Sequence, residues 1–204
     1  MRGYKIPVSL EEQKGEFVRI VFLNPYLKEI LNTLEFPDGN PWYLAAGCVN
    51  QTIWNFLTGR EITYGIKDYD LVYWSADISD QEQEKYRALI GRKYKLLNIE
   101  FDIHNEARIH TRYPSLFGIS IDQFKSVEAA ICSWPSTVTC VGITAKLGRN
   151  ISLYAPFGLS DIFEMKLKYN PETVCPPKFI PGKLERWKLK WPELKVIESS
   201  YPKV

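Results

Sequence analysis

Apolar and polar positions alternate along this chain with two different periods, and the switches between them outline its elements. Ser9 followed by Glu12 is a capping-box pattern that predicts a helix through about Leu23. Asn24 and Pro25 then read as a cap with proline in the first turn. Leu27, Ile30, Leu31 and Leu34 follow at helical spacing, predicting a second amphipathic helix ending near Phe36. The run Pro37-Asp38-Gly39-Asn40-Pro41 breaks the pattern. Trp42 to Ala46 reads as a short apolar strand, Val49 to Leu57 as a helix stopped by Gly59, and Asp68 to Trp74 as a strand reached through the loop Arg60 to Lys67. A polar helix is expected from about Ser79 to Ile90. In KLLNIEFDIHN the period is two: Leu97, Ile99, Phe101 and Ile103 fall on one face, and Asn98, Glu100, Asp102 and His104 on the other. Further on, a helix is predicted over Asp122 to Ser133, a β-hairpin over Thr139 to Lys146 and Ile151 to Ala155 around LGRN, and a helix over Leu159 to Tyr169. A proline-rich crossing leads to the basic segment GKLERWKLKWPELK. The element order places the chain in the α+β class.

With 204 residues, 45% hydrophobic and 14% aromatic, the chain can bury a sizeable core, which excludes a disordered protein. It is read as a single domain over 1–204, with a catalytic core at about 18–115 and a mixed helix and hairpin portion at about 116–204. The formal charge of +2 argues against a surface built to coat DNA, so no DNA partner is expected. The four cysteines form no CxxC pair, and two histidines are too few for a His-built zinc site. The N-terminus lacks the apolar core of a signal peptide and no stretch reaches 18 apolar residues, so no membrane is expected and a cytoplasmic setting is.

The chemistry lies between Leu44 and Trp74. Asp68 and Asp70, two apart on a strand, point the same way. With Asp102 on the next strand they form an acidic set suited to a pair of divalent ions, Mg²⁺ or Mn²⁺, as transfer of a phosphoryl group to a hydroxyl requires. Gly47 closes one strand and opens a helix where backbone amides can approach phosphate. Asn50 and Gln51, in that helix's first turn, are candidate hydrogen-bond donors to a triphosphate, and Lys67 either steers it or is a solvated charge. Cys48 sits in the turn, close to a nucleotide or simply filling space. Arg108 suits a bidentate phosphate clamp, or else a surface Arg–Glu pair with Glu106. His104 is catalytic or structural. The basic C-terminal run either attracts a polyanion or forms a solvated face, with Leu184, Trp187 and Leu189 turned inward.

The segments AAGCVNQTIWNFLTG, IKDYDLVYW, FDIHNEARIH, CSWPSTVTCVGI, YAPFGLSDIFEMKLK and KLERWKLKWPEL are similar, in that order over about 18–197, to a family of small bacterial nucleotidyltransferase-like proteins. That family belongs to the polymerase-β-type nucleotidyltransferase superfamily. The resemblance implies a small mixed sheet with helices packed on one side and the acids on its open edge. It also implies metal-dependent transfer of a nucleoside monophosphate from a nucleoside triphosphate to a hydroxyl, releasing pyrophosphate. The acceptor is left open between a small molecule, a protein and RNA. The chain departs from the superfamily in having Gly47-Cys48 where Gly-Gly or Gly-Ser is usual, and in placing Asp68 twenty residues beyond Cys48 rather than about a dozen. The alternative is a non-catalytic nucleotide-binding or regulatory module on the same scaffold.

Overall fold

The computed structural model describes residues 4–146, 150–179 and 181–201. Two capped helices open the fold. Helix α1 (Leu10–Val21) starts at Ser9, where the Ser9 backbone N–H donates to Glu12 and the Glu12 N–H donates to the Ser9 hydroxyl, so the capping box is complete. Helix α2 (Pro25–Thr33) starts at Asn24, whose side-chain oxygen accepts from the N–H groups of Tyr26 and Leu27. Then come β1 (Trp42–Ala45), α3 (Gly47–Thr58), β2 (Asp68–Tyr73), α4 (Asp80–Lys93), β3 (Glu100–Asn105), α5 (Ile109–Phe117), α6 (Val127–Cys132), β4 (Gly142–Lys146), β5 (Asn150–Tyr154), α7 (Ser160–Phe163), β6 (Lys166–Leu167), α8 (Pro181–Lys190) and β7 (Lys195–Val196).

Five strands form one mixed sheet in the order β3-β2-β1-β4-β5; β2 and β3 run parallel and the other neighbours antiparallel. Strands β6 and β7 form a separate parallel pair. Alternation divides the sheet's side chains. Trp42, Leu44, Tyr69, Leu71, Tyr73, Ile103 and Ile143 join the main core with residues of α1 to α4, while Tyr43, Ala45 and Val72 meet Val127 and Ile131 of α6 in a smaller cluster. Asp68 and Asp70 share the parity of Val72, so they stand on the thinly covered face.

Several elements differ from the sequence expectation. Strand β3 begins only at Glu100: Lys95–Leu97 forms a 3₁₀ turn and Asn98 is left-handed at φ 51°, which ends any extended run from Leu97. The helix expected over Asp122 to Ser133 is confined to Val127–Cys132, because Ser126 caps it by accepting from the Ala129 N–H. The helix expected over Leu159 to Tyr169 stops at Phe163. Met165 turns to φ 55°, and pairing with β7 takes over, with the Lys195 N–H donating to Met165 and the Ile197 N–H to Leu167. The sequence pattern does not predict helix α5, which contains Pro114. The hairpin of β4 and β5 is present, and its LGRN turn at 147–149 lies outside the described residues. On α8, Trp187 is buried and Leu184 packs against the core, but Leu189 is 85% exposed rather than turned inward.

Candidate active site

The turn from β1 into α3 sets the geometry. Ala46 has φ 51° and ψ −123°, a conformation that glycine adopts readily and alanine only under strain. The twist turns the start of α3 back onto β2. The Gly47 N–H donates to the Asp70 carboxylate, and a Cβ on Gly47 would lie 2.9 Å from the Gln51 amide nitrogen and 3.6 Å from Asp70 Oδ2. Gly47 therefore keeps open the space between Gln51 and the acid.

That space is the head of a cavity of about 640 Å³ lined by Gly47, Gln51, Lys67, Asp68, Asp70 and, from the far end of the sequence, Lys183 and Arg186. Burial, reinforced by the charges of Asp68 and Asp102, pushes the Asp70 carboxyl up to about 7, against the pull of Lys183 and the Gly47 N–H. Burial likewise holds the Lys183 ammonium below its ordinary range, with attraction from Asp70 opposing it. Gln51 keeps a buried side-chain oxygen with no hydrogen-bond partner. The cavity thus combines a strained turn, a buried acid and several cations.

Helix α8 supplies those cations because tryptophans fasten it to α3. Trp187 and Trp191 each meet Trp54 edge-on with ring centroids 5.6 Å apart, and Trp191 Nε1 donates to Asn55 at 2.8 Å. Asn55 in turn donates to the carbonyls of Ile62 and Tyr64, fixing the loop that leads to Asp68. Lys190 donates to the Gly65 carbonyl at 2.8 Å, and Arg60 pairs with Glu193 at 2.8 Å. The twenty-residue spacing between Cys48 and Asp68 is therefore accommodated by a loop held at both ends.

Asp102 lies beside Asp70, its direct partner in the parallel register of β2 and β3. Its carboxylate is bonded to His104 Nε2 at 2.6 Å, which holds it below the usual carboxylate range. Glu106, just beyond, is 5% exposed, and burial together with Asp70 and Asp102 raises its carboxyl to about 8.

The remaining sequence candidates are placed as follows. Gly47, Gln51, Lys67, Asp68 and Asp70 share the cavity. Asn50 is fully buried and donates to the Val138 carbonyl, on the inner side of α3. Cys48 is fully buried with its thiol donating to the Ala45 carbonyl, and burial raises its pKa further. Arg108 is buried and pairs with Asp80 rather than Glu106, in a different cavity. Lys183 and Arg186, which the sequence places only in a basic run open between a polyanion and solvent, line the same cavity as the acids; their spacing with Lys190 at i, i+3 and i+7 puts three cations on one stripe.

Among the described residues no group of three or more His, Cys, Asp or Glu side chains converges at metal-binding geometry. The donor set nevertheless fits a hard cation at Asp68 and Asp70, since the Asp70 carboxyl is buried beside a second acid and lacks a side-chain partner.

A fold of this kind, with a Gly turn and an Asp-x-Asp strand, is that of a nucleotidyltransferase head. Residues 29–196 match the family described as nucleotidyltransferase, and the chain belongs to that family. A solved structure described as revealing a CCA-adding enzyme head domain superposes with a TM-score of 0.69 at 21% identity, covering 89% of this chain and 94% of that one. A CCA-adding enzyme solved in complex with CTP superposes with a TM-score of 0.54 at 15% identity over 90% of this chain and 43% of its own length. None of the curated proteins matches the sequence significantly. No helix among the described residues is long and apolar enough to cross a membrane.

Proposed function

We propose that this protein is a divalent-metal-dependent nucleotidyltransferase that takes a nucleoside triphosphate into the cavity between α3 and α8 and passes its monophosphate to a hydroxyl. The observation that carries this reading is the placement of Asp70 between the Gly47 turn and its register partner Asp102, facing the Lys183 and Arg186 stripe. Membership of the family and the shared fold with a CTP-bound enzyme support a nucleoside triphosphate as donor.

Asp68 and Asp70 would hold Mg²⁺ or Mn²⁺, which when bound supplies positive charge at the reacting phosphate and lowers the cost of the developing charge. The chain's own residues do the rest. Gly47 lets phosphate oxygens approach α3, and Gln51 lines that approach. Lys183 and Arg186, with Lys67 at the mouth, draw the β- and γ-phosphates and stabilise the departing pyrophosphate. Asp102, its carboxylate kept ionised by His104, receives the proton of the attacking hydroxyl. Cys48 and Asn50 shape the turn from within, and Arg108 stiffens the neighbouring cavity.

One observation favours a second reading, a nucleotide-binding module without turnover: the described acids do not converge as a metal cluster. Incubation with each α-labelled nucleoside triphosphate, Mg²⁺ or Mn²⁺ and a cell extract as acceptor pool separates the two. Transfer by the wild type that falls at least about 10²-fold in Asp70→Asn supports the enzyme. Nucleotide binding without transfer favours the module, and an unchanged rate in Asp70→Asn refutes the assigned site.

A further inference from the structure

The nucleotide cavity touches only one side of the acid pair. It is lined by Asp70 and not by Asp102. On the outer side of β3 lies a second cavity, of about 630 Å³, which is lined by Asp102 and not by Asp70, together with His104, Arg87 of α4, Arg108 just before α5 and Arg112 within it. Paired strands run about 4.8 Å apart, so the two register partners stand at the boundary between the two cavities, one lining each.

The charges of the second cavity are unevenly matched. Arg108 is taken by Asp80, and Asp102 by His104. Arg87 donates through Nε to the Ile103 carbonyl at 3.1 Å and through one terminal nitrogen to Glu84 at 2.7 Å, which leaves its other terminal nitrogen unengaged among the described residues. Arg112 is partly exposed and its guanidinium makes no hydrogen bond or ion pair among the described residues, although its charge reaches Asp102. A planar guanidinium fork with unengaged donors is suited to a phosphate oxygen pair.

Phosphoryl transfer places nucleophile and leaving group roughly in line on opposite sides of the reacting phosphorus. With pyrophosphate leaving toward Lys183 and Arg186, the hydroxyl has to arrive from the side of Asp102. We propose that the second cavity is the acceptor site, and that the acceptor carries a phosphate next to its reacting hydroxyl, held by Arg112 with help from Arg87. This rests on the nucleotidyltransferase reading above. The hydroxyl oxygen attacks the α-phosphorus, forming the new O–P bond; the bond from that phosphorus to the bridging oxygen breaks, and pyrophosphate leaves with the electron pair. The hydroxyl proton passes to Asp102. The same phosphate chemistry is offered by a phosphorylated small molecule and by the last phosphodiester of an RNA 3′ end.

The test is calorimetric binding to the full chain with ribose 5-phosphate, unphosphorylated ribose and a short single-stranded RNA ending in a 3′-hydroxyl, each against wild type, Arg112→Gln, Arg112→Lys and Lys183→Ala. The expected result is a phosphate-bearing probe that binds wild type, weakens at least tenfold in Arg112→Gln and less in Arg112→Lys, and changes less than twofold in Lys183→Ala, while ribose does not bind. Binding of the RNA alone assigns a diester end, and binding of the sugar phosphate alone assigns a small molecule. Equal affinity for wild type and Arg112→Gln, or binding of neither phosphate probe, overturns the site. Where α-labelled nucleotide is transferred, an acceptor KM untouched by Arg112→Gln also overturns it while the enzymatic reading stands. Arg112-dependent binding with no transfer to any acceptor overturns the acceptor role and the enzymatic reading together, leaving an anion site.

Discussion

Replacing Glu106 with glutamine removes one ionisable group while keeping the side chain's shape, and its effect should depend steeply on pH. Glu106 opens the turn after β3, is 5% exposed, and makes no side-chain hydrogen bond among the described residues. Burial first, then the charges of Asp70 and Asp102, move its carboxyl from an ordinary 4.5 to about 8. Below about pH 4.5 the folded and unfolded chains both hold the proton, and the group costs nothing. Between about 4.5 and 8 the folded state keeps a proton that the unfolded chain has released, so the unfolded state binds fewer protons and stability falls as pH rises. Above about 8 the penalty is complete. At 1.36 kcal/mol per pH unit the displacement corresponds to about 5 kcal/mol, and water drawn toward the ionised carboxylate leaves about 2–4 kcal/mol of it. Urea unfolding of wild type and Glu106→Gln in EDTA, followed by far-UV circular dichroism at pH 5, 7 and 9, measures this directly. The two proteins should agree within about 0.5 kcal/mol at pH 5, and the variant should be the more stable by about 2–4 kcal/mol at pH 9. A difference that stays constant across these pH values would refute the reasoning, because it would mean that Glu106 ionises in the fold without cost.

Other expectations follow from neighbouring residues. Because the Asp70 carboxyl titrates near 7, Mg²⁺ affinity measured by calorimetry should climb from pH 6 to pH 8 as the competing proton leaves, and Asp70→Asn should flatten that rise. Gly47→Ala pushes a methyl group toward Gln51 and Asp70, so the KM for the nucleoside triphosphate should increase about tenfold with little change in melting temperature. Ala46→Gly relieves a positive-φ alanine and should stabilise the protein by about 1 kcal/mol, or roughly 2–4 °C in a thermal melt. Trp191→Ala removes a fully buried ring and the partner of Asn55; a loss of about 3–5 kcal/mol is expected in urea titration, with the C-terminal segment cut first in limited proteolysis.

The parts of this site that could be read in the sequence are those set by local periodicity. Positions 68 and 70 share a face because strands alternate, and Ser9, Asn24 and Ser79 announce helix starts because their side chains satisfy first-turn amides, whereas Asp102 joins that face through the register of β3 on β2. What could not be read depends on partners far along the chain. Asn50 and Gln51 look equivalent in sequence, but adjacent helix positions diverge by about 100°. The Val138 carbonyl claims Asn50, and the cavity is left to Gln51. Glu106 and Arg108 suggest a surface pair, and only the covering helix α6 and the reach of Asp80 show that they are buried and apart. Lys183 and Arg186 belong to the site only because Trp187 and Trp191 lock onto Trp54, more than 130 residues upstream.

Strand β1 has a consequence for how the protein is made. Its two edges are satisfied at very different times: β2 follows closely in the chain, but the other partner, β4, lies 97 residues further on at the pair Ala45 and Gly142. At a ribosomal pace of about 5–20 residues per second, about 5–20 s separate Ala45 from Gly142, and the last ~2–7 s of that follow the completion of β3 at Asn105, with the apolar edge of β1 still unpaired. Loops of that length also close slowly relative to local contacts. The acids would therefore be assembled early on a sheet that is still open to foreign strands, and the interval before Gly142 appears is the stage at which this chain is most exposed to misassembly and most in need of a holding chaperone.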